Sequence, residues 1–215
     1  MSDICDDDNP QLSKETKAIL EQFLAEKRVR EEEMQLLSNS SSIPSTFFEE
    51  DWQLSQFWYN EETIDTLIRG ALNVTNPTDK IALISCPTLY SKLKSNCGDR
   101  EINIFEYDQR FKVYGQDFIP YDYKYPLQLP RNISSNYDLV IADPPFLSEE
   151  CLTKISVTIK HLSKRHIIIC TGAVMEDFIK RLMDVKKCDF QPSHRNNLAN
   201  EFYCYSNFDF DKVIK

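Results

Sequence analysis

Residues 137–146 read Tyr137-Asp138-Leu139-Val140-Ile141-Ala142-Asp143-Pro144-Pro145-Phe146, an apolar run of one strand's length that ends in an acid, two prolines and an aromatic ring. Apolar residues without alternation belong to a strand covered on both faces, which is the pattern of a parallel sheet in an α/β fold. In open sheets of that kind ligands bind beyond the carboxyl ends of the strands, where Asp143 to Phe146 fall. The two prolines fix the backbone and remove N–H donors, leaving their carbonyls free to accept. An amine nucleophile needs such acceptors: the Asp143 carboxylate and the Pro144 carbonyl can hold its N–H groups while aiming the nitrogen lone pair. Phe146 offers a stacking face for a planar base or a cation-π surface for an ammonium.

The flanking sequence repeats the theme. Strand-like runs fall at Ile81 to Ile84, Ile102 to Tyr107, Phe118 to Tyr121 and His166 to Thr171. Helical patterns at Glu61 to Leu72, Leu89 to Asn96, Glu149 to Leu162 and Ala173 to Met183 separate several of them. Lys187 to Gln191 and Glu201 to Phe208 follow as two strands with no helix between them. The expected fold is α/β: a seven-stranded, Rossmann-like, mostly parallel sheet closed by an antiparallel terminal hairpin. Ahead of it, Leu12, Ile19, Leu20, Phe23 and Leu24 recur at helical spacing, and Ser38 to Pro44 read as a linker. Residues 1–46 are therefore expected to form a helical, acidic extension with its linker and 47–215 the α/β domain.

Composition narrows the function classes. With 25 Lys and Arg against 34 Asp and Glu the net charge is -9, which opposes a broad grip on phosphate backbones and makes nucleic acid an unfavoured partner. The apolar runs are too short to span a bilayer, so no membrane association is expected. Met1 to Asn9 carry neither a signal segment nor an Arg-rich transit pattern, which makes the cytoplasm the expected compartment. The seven cysteines lack zinc-ligand spacing and read as reduced thiols; no metal is expected. Acidic runs at Asp6 to Asp8 and Glu31 to Glu33 would suit a basic partner. The expected state is a monomer.

Asp143-Pro144-Pro145-Phe146 resembles the Asp/Asn-Pro-Pro-Tyr/Phe motif of amino-methyltransferases. The wider text is similar to the eukaryotic family once named N6-adenine methyltransferase-like and since assigned as lysine methyltransferases of translation elongation factor 1-alpha. The resemblance is carried by Trp52-Gln53-Leu54-Ser55-Gln56-Phe57-Trp58-Tyr59, Ile104-Phe105-Glu106-Tyr107-Asp108, Asp138 to Ser148 and Asn197 to Phe202, and covers Glu50 to Asn207. It implies a class I methyltransferase with S-adenosyl-L-methionine as donor and a lysine of that elongation factor as acceptor. A DNA or RNA adenine methyltransferase and an inactive binding module remain the alternatives.

Cofactor positions follow more locally. Glu106 ends the second strand, where a carboxylate can accept both ribose hydroxyls, and is preferred to Asp108 for that place. Asp122 sits where related enzymes place an acid against the adenine amino group, or else opens a turn. The first strand runs into Ser85-Cys86-Pro87-Thr88 without the usual glycines, so Ser85 and free helix amides have to substitute. That missing fingerprint also argues against a nicotinamide dehydrogenase. Phe57, Trp58 and Tyr59 form either core packing or an aromatic wall of the cofactor site. His194 belongs to a loop that is either solvated or lines the acceptor entrance.

Overall fold

The computed structural model describes residues 13–37, 48–131, 133, 136–196, 198 and 200–215. The linker at Ser38 to Pro44 and the acidic run at Asp6 to Asp8 lie outside them. The chain divides into two units, Met1–Ser40 and Ser41–Lys215. In the first, helix α1 (Lys14–Leu37) leaves Ile19, Leu20, Phe23 and Leu24 exposed. No helix among the described residues is long and apolar enough to cross a membrane.

The second unit holds a seven-stranded sheet: β1 (Lys80–Ile84), β2 (Glu101–Glu106), β3 (Phe118–Pro120), β4 (Tyr137–Ala142), β5 (Ser163–Gly172), β6 (Lys186–Lys187) and β7 (Phe202–Ser206). Their order is β3-β2-β1-β4-β5-β7-β6. The pairs from β3 through β5 are parallel, and β7 is antiparallel to both β5 and β6. All six residues of β4 are buried, as the apolar run Leu139 to Ala142 requires, with Asp138 the one charged residue among them. Helices α2 (Glu61–Val74), α3 (Tyr90–Asn96), α4 (Glu149–Leu162), α5 (Glu176–Leu182) and the short α6 (Phe210–Val213) accompany the sheet. Helix α2 begins where the Asn60 side chain accepts the Thr63 amide at 2.9 Å, with Glu61 and Glu62 favourably placed in the first turn. Its Ile64, Leu67, Ile68 and Ala71 recur at helical spacing and are buried. Helix α4 starts in the same way at Ser148 and buries Leu152, Ile155, Ile159 and Leu162 under the sheet.

The carboxyl-terminal third departs from its expected boundaries. The strand read over Lys187 to Gln191 is only Lys186–Lys187, because the amides of Asp189 and Phe190 turn away to the Asp211 carboxylate at 2.8 and 3.0 Å. The strand read over Glu201 to Phe208 narrows to β7. The helix read from Ala173 starts as a 3₁₀ turn over Ala173–Met175 and becomes α-helical only at Glu176. Strand β5 begins three residues early, directly after α4, since Ser163 pairs with Tyr137. Among the described residues Cys86, Cys97, Cys151, Cys170, Cys188 and Cys204 are free and buried.

Two aspartates mark the two ends of β4. Asp138, at the amino end, accepts the Lys80 amide at 3.1 Å and pairs with Lys164 and Arg165 at 3.3 and 3.1 Å. Burial acts to raise its pKa, but these partners outweigh it and hold the carboxyl below its usual range. Asp143 is at the opposite end, beyond the last strand residue. Gly172 closes β5, where an added Cβ would stand 2.7 Å from Leu147 Cδ1 and force that side chain to shift. Gly172→Val should therefore cost about 1–3 kcal/mol by pushing Leu147 out of place, read as a lower urea midpoint with an unchanged slope.

Candidate active site

The strand order reverses between β1 and β4, and the ligand crevice of such a sheet lies at that switch point. Each strand there passes one further hydrogen bond beyond its end: Ser85 N–H to Phe105 O, Asp143 N–H to Ile84 O and Tyr121 N–H to Glu106 O, all 3.0 Å. Ser85, Asp143 and Glu106 are thus fixed by main chain. The glycine-free turn after β1 is made by Ser85 itself, which adopts φ +54. A left-handed serine costs roughly 1 kcal/mol or more, and Pro87 then starts the next 3₁₀ turn without an unmet N–H.

These ends open into a cavity of about 480 Å³, a volume within the range of small-molecule sites. Phe57, Trp58, Ser85, Glu106, Asp122, Asp143, Pro144, Pro145 and Phe146 all line it. Tyr59 does not. It is 1% exposed and lies behind the wall, its ring 5.1 Å from that of His194 and its hydroxyl interacting with Asp143. Tyr59 bridges His194 as an antiparallel pair and is turned away from the cavity. Trp58 also packs, donating from its indole to Phe48 O at 2.9 Å, yet leaves an edge in the cavity. The aromatic segment is both core and wall.

Glu106 is nearly buried. Its Oε1 accepts the Tyr107 and Asp108 amides at 2.9 and 3.1 Å. Burial dominates and pushes its pKa to about 7, against the pull of those two amides. Asp108 faces elsewhere, engaged by Gln56 at 2.9 Å and by Arg110 at 2.6 Å. Asp122 lines the cavity, and its Oδ1 accepts the Lys124 amide at 2.9 Å in a turn.

At the other end, Asp143 opens to the cavity and is otherwise enclosed by protein. Burial lifts its carboxyl to about 7, opposed by the Tyr59 hydroxyl. Phe146 is 42% exposed and its ring lies 5.7 Å from that of Tyr123, an aromatic pair at this end of the cavity. His194 belongs to the wall, packed against Phe202 at 4.5 Å; burial lowers its pKa to about 4, so it is neutral at pH 7. Tyr107, Tyr123 and Gln56 are lining residues that the sequence reading left without a role. Tyr107 and Tyr123 each directly follow a singled-out acid, which was the available signal.

The cleft therefore joins an acid at the end of β2 to the Asp143-Pro144-Pro145-Phe146 corner at the end of β4. The structure of PH1948 from Pyrococcus horikoshii, described as an RNA methyltransferase, superposes with a TM-score of 0.50 at 15% identity, over 82% of this chain and 96% of that one. The strand order and this likeness define the class I methyltransferase fold. The sequence profile described as "Probable N6-adenine methyltransferase" matches residues 50–210, and the chain belongs to that family. "EEF1A lysine methyltransferase 1" of Homo sapiens is 47% identical over 211 residues, covering 97% of both chains. "Protein-lysine N-methyltransferase EFM5" of Saccharomyces cerevisiae is 34% identical, covering 92% of both.

Proposed function

We propose that this enzyme transfers a methyl group from S-adenosylmethionine to a lysine of translation elongation factor 1-alpha in the cytoplasm. The observation that carries this reading is the 47% identity, over nearly the whole of both chains, with proteins named for that activity. The residues of the cleft fit the cofactor. Glu106 turns a carboxylate toward the cavity from the end of β2, suited to ribose hydroxyls, and Asp122 stands at the end of β3, suited to the adenine amino group. Ser85, Phe57 and Trp58 supply the remaining walls. Residues 47–215 would carry out the transfer, while the acidic extension in 1–46 would help to dock the protein acceptor.

When bound, S-adenosylmethionine supplies an electrophilic sulfonium methyl; the chain has to supply a neutral amine in the right place. A lysine with a reference pKa near 10.4 loses its proton at pH 7 at a cost of roughly 4 to 5 kcal/mol. The apolar ring faces of Phe146 and Tyr123 favour the neutral amine by desolvation, whereas a charged Asp143 favours the ammonium. We assign Asp143 and the Pro144 carbonyl to holding the N–H groups, Phe146 to covering the amine, Pro145 to fixing the corner, and water to removing the proton.

The description of the family profile raises an adenine acceptor as a second reading, because the same corner would take a flipped base. The acidic balance of the chain and the protein-lysine names of its relatives favour a protein. Labelled S-adenosylmethionine added to a cell extract should mark a protein band of the elongation factor's size, and nuclease treatment should not diminish it. Label lost with nuclease would move the acceptor to nucleic acid.

A further inference from the structure

The segment 51–58 lines the cleft with Gln53, Leu54, Ser55, Phe57 and Trp58, and Glu106 and Tyr107 line it from the end of β2 and the loop that follows. One buried side chain joins the two. Gln56 is 7% exposed, and its Nε2 donates to Asp108 Oδ2 at 2.9 Å. Its Oε1 accepts from Arg110 Nη2 at 2.8 Å and from the Asp51 amide at 3.2 Å, which uses both lone pairs of the carbonyl. Arg110 in turn donates from Nε to Asp108 Oδ2 at 2.7 Å and from Nη1 to Glu49 O at 3.2 Å. The Asp108 amide donates to Glu106 Oε1 at 3.1 Å. A continuous chain of hydrogen bonds thus runs from the aromatic wall through Gln56 and Asp108 to the carboxylate assigned to the ribose.

We propose that Gln56 is a positioning residue for the cofactor, bolting the 51–58 wall to the loop after β2 so that Phe57, Trp58 and Glu106 are held in one arrangement before the cofactor arrives. The inference rests on the cleft being the cofactor site. A wall held in place in the free protein does not have to be ordered on binding, and that preorganisation appears as affinity. None of the bolt's hydrogen bonds involves Asp143 or Phe146, so its loss is expected to weigh on the cofactor rather than on the acceptor.

Calorimetric titration of the full chain with S-adenosylmethionine, together with steady-state kinetics, tests this. Gln56→Ala should weaken cofactor binding about ten-fold, leave the KM for the protein acceptor unchanged, and keep kcat at saturating cofactor within about two-fold. Arg110→Gln, at a more exposed position, removes the other half of the bolt and should weaken binding by a similar factor. The double variant should lose no more than the worse single one, because both changes release the same wall; a generally loosened structure would instead give additive losses. Wild-type affinity in both single variants, additive losses in the double, or an equal rise in both KM values would overturn the proposal. Failure of the wild-type chain itself to bind S-adenosylmethionine would overturn the assignment of the cleft, and the bolt with it.

Discussion

Asp143→Ala should lower kcat by about 10²–10³-fold, the usual effect of removing one preorganised electrostatic contact at a reacting centre, while the protein keeps its fold. The fold is safe because the corner is held by main chain: the Asp143 amide bonds Ile84 O whatever the side chain is. Asp143→Asn keeps an acceptor for the amine but not the charge, and should recover only a part of that loss. The asparagine variant also reports on charge. Burial places the Asp143 carboxyl at about 7, against the opposing Tyr59 hydroxyl. Its acting form is the carboxylate, so below pH 7 the wild type needs two groups to lose protons, Asp143 and the acceptor lysine. Log kcat/KM should rise with a slope of about two below pH 7 and about one above it. In Asp143→Asn the slope should stay near one throughout. A wild-type profile without the break would remove Asp143 from the ionising groups that matter.

The second large effect is expected at Glu106, with opposite signs on binding and stability. Glu106→Gln removes a charged acceptor from the cleft, which should weaken S-adenosylmethionine binding by about 10–100-fold, given 1.5–3 kcal/mol for hydrogen bonds to a charged group. The same substitution should stabilise the cofactor-free protein above neutral pH. Burial raises the folded pKa of Glu106 to about 7 from an ordinary value of 4.5. The unfolded chain therefore holds fewer protons at this site between those two values, and the contribution of the carboxyl to stability falls as pH rises through that window. At pH 8 the full cost is present in the wild type and absent in the variant, by up to about 3 kcal/mol; near pH 4.5 the difference should vanish. Chemical denaturation at the two pH values measures it, and a variant less stable than wild type at pH 8 would contradict the electrostatic account.

What the sequence made legible follows a physical rule. β1 and β4 were readable because strands covered on both faces are written in continuous apolar text, and Glu106 and Asp143 because they are the first polar residues at such strand ends. The β6 region was not, because its main chain is diverted by Asp211, twenty residues and more downstream, which no local pattern announces. Ser85 was identified as the substitute for a glycine, but its left-handed backbone was not, since nothing in a serine marks positive φ. The three adjacent aromatics carry no local mark that separates core packing from a cleft wall: Tyr59 lies behind the wall with its hydroxyl on Asp143, while Phe57 and Trp58 line the cleft. Gln56 was quoted within a matching stretch and given no role, because its two partners, Asp108 and Arg110, lie fifty residues and more away.

The central claim is tested most directly by mass spectrometry of purified translation elongation factor 1-alpha after incubation with this enzyme and S-adenosylmethionine. The account predicts that one lysine gains the mass of one or more methyl substituents with the wild type and stays unmodified with Asp143→Ala. An elongation factor left unmodified by a wild-type enzyme that binds the cofactor, or modified equally by both proteins, would contradict it.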